Sequence, residues 1–208
     1  MSKTVVDSLL SKFPEAIVQA YAHRGDECVV VARDQLVAVA THCRDEPSMH
    51  FDMVVDITAI DHLETFDEFR FEVVYHLYSL PHKHRLRIKV RLDEDDVHVP
   101  SVSGVWKGAL WTERETYDMF GILFDGHPDL RRLLLYPEFE GHPLRKDYGF
   151  ADIQPLVPLT DIGVPMSLGT PFAGTNRERG IAVGEGTSAA GKALIPQTTA
   201  FKPDVVYK

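Results

Sequence analysis

Cysteine is scarce in this chain: Cys28 and Cys43 alone occur among 208 residues, far apart and outside any C-x-x-C pair. That usage reads as a reduced, cytosolic chain without a disulfide. Iron–sulfur clusters need four ligands, mostly cysteine, so this chain cannot hold one by itself. Long apolar runs are missing as well. The longest, 28–32 and 36–40, fall far short of the roughly 20 residues that a membrane span requires, so any membrane attachment must come through a partner. The first thirteen residues contain Asp7 and no long apolar stretch, so neither export nor import is expected. A positive excess is absent too. The net charge is −9, which argues against nucleic acid as the main partner. Five acids and five bases follow residue 150, so the acidic excess belongs to the part before it. No phosphate loop, nucleophile–base pair or nicotinamide fingerprint occurs. Gly184 and Gly186 lie in a late stretch that does not lead from a strand into a helix.

What is present is the patterning of an α+β protein with 44% hydrophobic and 25% charged residues. Residues 4–13 read as a short amphipathic helix ended by Pro14. Segments 16–23 and 27–32 read as a hairpin around Gly25 and Asp26. Asp34 is placed to cap a helix running through Cys43, with Leu36, Val37, Ala40 and Cys43 facing inward, and Pro47 closes the unit. Three period-two strands follow. Phe51, Met53, Val55, Ile57 and Ala59 form one apolar row, Phe69, Phe71, Val73, Tyr75 and Leu77 a second, and Leu86, Ile88, Val90 and Leu92 a third. Such alternation predicts strands with one face on a core and one face wet. The basic teeth Arg85, Arg87, Lys89 and Arg91 are expected to meet acidic teeth of a neighbour, and residues 93–96 to form a solvated acidic turn. The fold class is therefore α+β: a mixed, largely antiparallel sheet with helices packed on one face. Residues 1–149 form the folded domain. Residues 150–208, punctuated by Pro, Gly, Ser and Thr, keep no period long enough for a core and read as an extended tail that orders on another surface.

The chain is organised around residues 106–148. A helix over 105–120 puts Trp106, Leu110, Tyr117 and Phe120 on one stripe, and Glu113 falls on that same stripe. A lone buried carboxylate is costly, so Glu113 needs a cation or several donors. The opposite face collects Lys107, Trp111, Arg114, Glu115 and Asp118, with Gly121 as a left-handed terminator. Two echoing segments follow. The first is Gly126, His127, Pro128, Asp129, Leu130, Arg131 and Arg132; the second is Gly141, His142, Pro143, Leu144, Arg145 and Lys146. Each glycine supplies a turn and each proline holds the preceding histidine extended. The cluster of Glu113, Glu115 and Asp118 raises acid–base catalysis. Without a partner nucleophile, structural use is preferred, with Glu113 and Asp118 paired to Arg114, Arg131 or Arg132. His82 and His84 share one strand face but lack a third metal ligand, and His127 and His142 read as capping groups. Trp111, Tyr136, Phe139 and the basic residues of the two turns combine the side chains that interface hot spots favour.

The run GALWTERETYDMFGILFDGHPDLRRLLL, followed by GHPLRKDY, is similar to the signature of the C subunit, or thirty-kilodalton subunit, of respiratory complex I. The resemblance marks Trp111, Glu113, Arg114, Glu115, Asp118, Phe120 and Gly121 of the helix as motif or partner-binding positions. It marks likewise His127, Pro128, Arg131, Arg132, His142, Pro143, Arg145, Lys146, Asp147 and Tyr148 beyond it. The chain departs from the family pattern at Gly149, where proline is common. The resemblance implies a non-redox subunit in the peripheral arm of the proton-translocating NADH:quinone oxidoreductase. Flavin and iron–sulfur clusters would sit in other subunits, with no cofactor, metal or catalytic residue in this one. Its expected partners are the D subunit, over which the tail wraps, then the B subunit and other peripheral-arm subunits. Its expected place is the cytoplasmic side of a bacterial inner membrane, reached only through the complex. A related energy-converting hydrogenase or other membrane-bound dehydrogenase uses a similar subunit. A stand-alone metal-dependent enzyme built on His82, His84 and the acidic helix is the remaining alternative.

Overall fold

Helix α1, Ser2–Lys12, lays Val5, Val6 and Leu9 on the core and stops before Pro14, which cannot continue a helix. Strands β1, Ile17–His23, and β2, Asp26–Val31, pair His23 with Asp26 and leave a two-residue turn. Both turn residues have positive φ, Arg24 at 52° and Gly25 at 86°, the geometry that matches the twist of a tight hairpin. The computed structural model describes residues 2–63, 65, 69–149, 153, 154 and 205–207. The expected partner-wrapping path of 150–208 therefore lies almost wholly outside the described residues.

Asp34 does not cap the second helix. It sits in a 3₁₀ turn, Arg33–Gln35, that runs straight into α2, Leu36–Asp45, and its side chain is exposed. The Gln35 N–H bonds Ala32 O at 3.0 Å and the Leu36 N–H bonds Arg33 O, so the turn itself satisfies donors that a cap would otherwise take. The inward stripe is Leu36, Val39, Ala40 and Cys43. Val37 falls off that i, i+3, i+4, i+7 row and is exposed, against expectation.

Six strands form one sheet in the order β3-β4-β5-β2-β1-β8, with β3 at Met53–Asp61, β4 at Phe71–Tyr78, β5 at Arg85–Leu92 and β8 at Val205–Tyr207. Every pairing is antiparallel except β2 with β5. The helices share one core with the inward rows Val73, Tyr75, Leu77 and Leu86, Ile88, Val90, Leu92. In β3 the row changes phase at a bulge between Val54 and Asp56. Val54, Ile57 and Ala59 point inward, while Met53 and Val55 are exposed. The outer face is drier than expected. Glu72 is buried there, and Tyr21, Cys28 and Val30 make a small second core. The basic teeth of β5 do find acids: Lys89 reaches Glu72 at 2.5 Å, and Arg87 reaches Asp26 at 3.3 Å. The acidic turn is not merely solvated, because Arg33 binds Asp96 at 2.6 Å and Arg70 binds Glu94.

A second, two-stranded sheet frames the central helix. Strand β6, His98–Pro100, enters it, β7, Leu123–Asp125, leaves it, and the two run parallel. The helix between them, α3, spans Ala109–Phe120. It starts later than the predicted residue 105 because 102–109 wind as turns. Trp106 is buried there, and its Nε1–H donates to Phe51 O at 2.9 Å. Gly121 ends α3 in the left-handed conformation at φ 73°, its N–H bonding Tyr117 O at 2.8 Å.

Candidate partner-facing site around the central helix

The last turn of an α-helix leaves four carbonyls without intrahelical donors, and α3 has each of them capped from outside the helix. Tyr117 O takes Gly121 N–H, and Asp118 O takes the His142 Nδ1–H at 3.0 Å. Met119 O takes Leu144 N–H at 3.1 Å, and Phe120 O takes the Arg145 Nε–H at 2.5 Å. The second Gly-His-Pro segment is thus a helix cap, and its arginine puts positive charge at the negative end of the helix dipole. Burial lowers the His142 pKa, which favours the neutral ring seen donating here.

The first segment folds back along the helix flank around Asp118. This carboxylate was expected on the polar face; it is fully buried, because 126–145 covers that flank as a second interior. Its Oδ2 accepts the successive N–H groups of Leu133, Leu134 and Leu135 at 3.0, 2.8 and 2.9 Å, and its Oδ1 pairs with Arg132 at 2.8 Å. Burial alone would raise the Asp118 pKa; the bonds from Leu135, Arg132, Leu134 and Leu133 outweigh it and hold the group below the usual carboxylate range. Arg132 also donates to Phe139 O and Gly141 O at 2.8 and 2.9 Å, tying the first segment to the second. Arg114 donates to the carbonyls of Arg131 and Arg132, both at 3.0 Å, and lies over the Trp111 ring.

Glu113 is buried as expected, but it pairs with no arginine. Arg114 and Arg132 are instead spent on carbonyls and Asp118 along the other flank. Its donors are Ser101 Oγ–H at 2.6 Å and Val102 N–H at 2.7 Å, with His127 Nε2 3.9 Å away. His127 donates to Leu110 O at 3.2 Å and accepts Asp129 N–H at 3.0 Å, a packing role. Pro128 and Pro143 hold the two histidines in place ahead of these bonds.

A further buried acid completes the scaffold. Asp61 accepts Lys146 N–H at 2.8 Å and Leu63 N–H at 3.0 Å, and pairs with Arg70, which reaches Asp147 at 2.7 Å. Burial opposes the Arg70 charge, yet Asp147, Asp61 and Glu94 together raise its pKa. Asp61 and Arg70 escaped the sequence reading, as did Ser101. The missed signal was parity: Asp61 continues the inward row of Ile57 and Ala59, as Glu113 continues its helix stripe. Tyr148 stacks on Phe139 with centroids 6.1 Å apart, closing the segment.

With so many groups committed inward, what remains outside is distinctive. Trp111 is 60% exposed, Leu134 62%, Leu144 51% and Tyr136 39%, beside exposed Arg131, Lys146 and Glu115. Among the described residues no group of three or more His, Cys, Asp or Glu side chains could hold a metal ion. Among them, too, no helix is long and apolar enough to cross a membrane.

Comparison with known proteins matches residues 29–154 to the family model described as respiratory-chain NADH dehydrogenase, 30 Kd subunit. A relative from Roseiflexus sp. (strain RS-1), described as the C subunit of an NADH-quinone oxidoreductase, is 46% identical over 144 residues, covering 69% of this chain and 82% of its own. One of the same description from Methylobacterium sp. (strain 4-46) is 47% identical over 151 residues, covering 71% and 69%. Among solved structures, the chain is similar to a trypsin-resistant fragment of Nqo5, at 33% identity and a TM-score of 0.54, covering 62% of this chain and 98% of that one. It is also similar to a chain of the membrane-bound sulfane sulfur reductase, an archaeal respiratory membrane complex, at 25% identity and a TM-score of 0.60, covering 72% and 86%.

Proposed function

The chain belongs to the respiratory-chain NADH dehydrogenase 30 Kd subunit family, and from that premise we propose that it is a non-redox, scaffolding subunit of a proton-translocating NADH:quinone oxidoreductase. In this reading it does no electron transfer itself. Flavin and iron–sulfur clusters reside in companion subunits, and this chain clamps the D subunit and touches the B subunit in the peripheral arm, on the cytoplasmic side of a bacterial inner membrane. Residues 150–208 extend the grip over the D subunit. The observation that carries the proposal is the exposed set Trp111, Leu134, Tyr136 and Leu144, held on a scaffold whose carboxylates and arginines are spent on internal bonds. Apolar side chains of that size, fixed among charges, are the makings of an interface centre.

Co-purification tests it. Leu134 is 62% exposed, so Leu134→Asp should leave the chain folded but strip the D subunit from complexes isolated from native membranes. Undiminished recovery of the D subunit would refute the docking face. A second reading keeps the scaffold and changes the machine. The likeness to a sulfane sulfur reductase chain favours an equivalent subunit in a related membrane complex with another electron donor. Nicotinamide- and flavin-binding companions in the isolated complex would decide for the first reading, and their replacement by other oxidoreductase subunits for the second.

A further inference from the structure

Glu113 is fully buried on α3 without a cation to neutralise it. The groups that face it come from three other elements. Ser101 and Val102, just past β6, donate to it; His127, from the turn after β7, stands 3.9 Å away; Tyr75 of β4 is close enough for its phenol to feel the carboxylate's charge. On α3 itself, Arg114 turns to the carbonyls of Arg131 and Arg132, Asp118 turns to Arg132, and Glu115 is exposed. Among the described residues, His127 is the sole basic side chain within ion-pair distance of Glu113.

The hydrogen bonds of His127 fix its tautomer. Nδ1 accepts the Asp129 N–H at 3.0 Å, so the ring proton is on Nε2, which donates to Leu110 O. The Nε2–H is therefore spent on Leu110 O and is not aimed at Glu113. Ser101 is built to accept as well as donate: its Oγ takes the Ser103 N–H at 3.1 Å and meets Ser103 Oγ at 2.7 Å. With its own hydrogen handed to Ser103 Oγ, it can receive a hydrogen from a carboxylic acid, while Val102 N–H still finds the other oxygen of Glu113. The Tyr75 hydroxyl is buried and makes no hydrogen bond to a described residue, so the surroundings supply little else to stabilise an anion.

We propose that Glu113 is a proton-binding site: the folded chain holds it as a neutral carboxylic acid, and release of that proton leaves a buried charge without a counter-ion, which destabilises the fold. Burial pushes the Glu113 pKa up from 4.5 to about 7, and the bonds from Ser101 and Val102 offset only part of that. A folded pKa above the unfolded one contributes stability that is complete below about pH 4.5 and is lost as pH rises through about 7. Glu113 and the groups facing it all belong to this chain, so the site is the same whichever complex the chain serves.

The test uses the full chain and Glu113→Gln. The amide keeps an acceptor for Val102 N–H and a donor for Ser101 Oγ, and carries no proton to lose. Between pH 5 and pH 8 the unfolding constant of the wild type should rise about 10²-fold relative to that of Glu113→Gln. Infrared difference spectra supply the direct readout. At pH 6 ordinary carboxyls are ionised, so a carboxylic-acid carbonyl band that vanishes by pH 8.5 and is absent from Glu113→Gln identifies the proton. Parallel pH profiles for the two proteins, or no such band in the folded wild type, would overturn the proposal. Should Glu113→Gln fail to fold, the wild-type band alone decides.

Discussion

Two carboxylates little more than one turn apart on α3 meet burial in opposite ways. Asp118 and Glu113 are both wholly out of solvent. Asp118 has three successive backbone N–H donors and an arginine, which hold its pKa below the usual carboxylate range. Glu113 has a hydroxyl, one N–H and an imidazole 3.9 Å away whose own N–H bonds Leu110 O, and its pKa climbs to about 7. Depth therefore does not set the charge of a buried acid; the number of fixed donors and the presence of a cation do. Position on the helix adds to the contrast. A carboxylate near the C-terminal end opposes the helix dipole, and Arg132 is what makes Asp118 tolerable there.

The comparison breaks most visibly at Asp118. Asp118→Ala strands three buried N–H groups and the Arg132 guanidinium, a loss of about 3–5 kcal/mol measurable as a lowered urea midpoint. It should exceed the cost of Glu113→Ala at pH 8, where the buried acid has already given up its advantage. The pH dependence separates them in sign. The lowered pKa of Asp118 gives stability present above the unfolded value near 3.8 and lost as pH falls through the folded one. Glu113 loses its contribution in the other direction. Asp118→Asn should therefore blunt the acid limb of the stability profile and leave the limb between pH 5 and pH 8 untouched.

How much of this was legible in the amino-acid order follows from range. The alternation of β5 predicted its buried row correctly, since each side chain's face depends only on its own strand. Glu113 was legible as buried for the same local reason, by lying on the stripe of Trp106, Leu110 and Tyr117. Its partners were not, because Ser101 and Val102 are delivered by a strand pair, β6 with β7, too short to show a period. The bulge at Val55 shifted the phase of β3 without any glycine to announce it. The two Gly-His-Pro segments looked like repeated basic patches for a partner. One arginine in each, Arg132 and Arg145, is instead occupied by α3, and only the folded chain shows which basic residues remain outside. The bond from Lys146 N–H to Asp61 joins residues far apart in the chain, and no local pattern encodes it.

The helix terminus sharpens the contrast at smaller amplitude. Gly121→Ala would place a methyl group at φ 73°, with its carbon 2.5 Å from His142 Cδ2 and 2.7 Å from Arg145 Nη2. Left-handed strain and a displaced His142 cap together cost roughly 2–3 kcal/mol. A loss under about 1 kcal/mol would mean that the second Gly-His-Pro segment is not seated on the helix end. Trp111→Ala should do least to the isolated chain. The indole is 60% exposed, with the Arg114 guanidinium 5.4 Å from its ring, so the stability change should stay near 0.5 kcal/mol. In the proposed interface the same truncation removes a central anchor worth about 2 kcal/mol, or roughly 30-fold in affinity for the D subunit. Equal, small effects in both assays would place the docking centre elsewhere, whereas a large loss of stability would return Trp111 to the core.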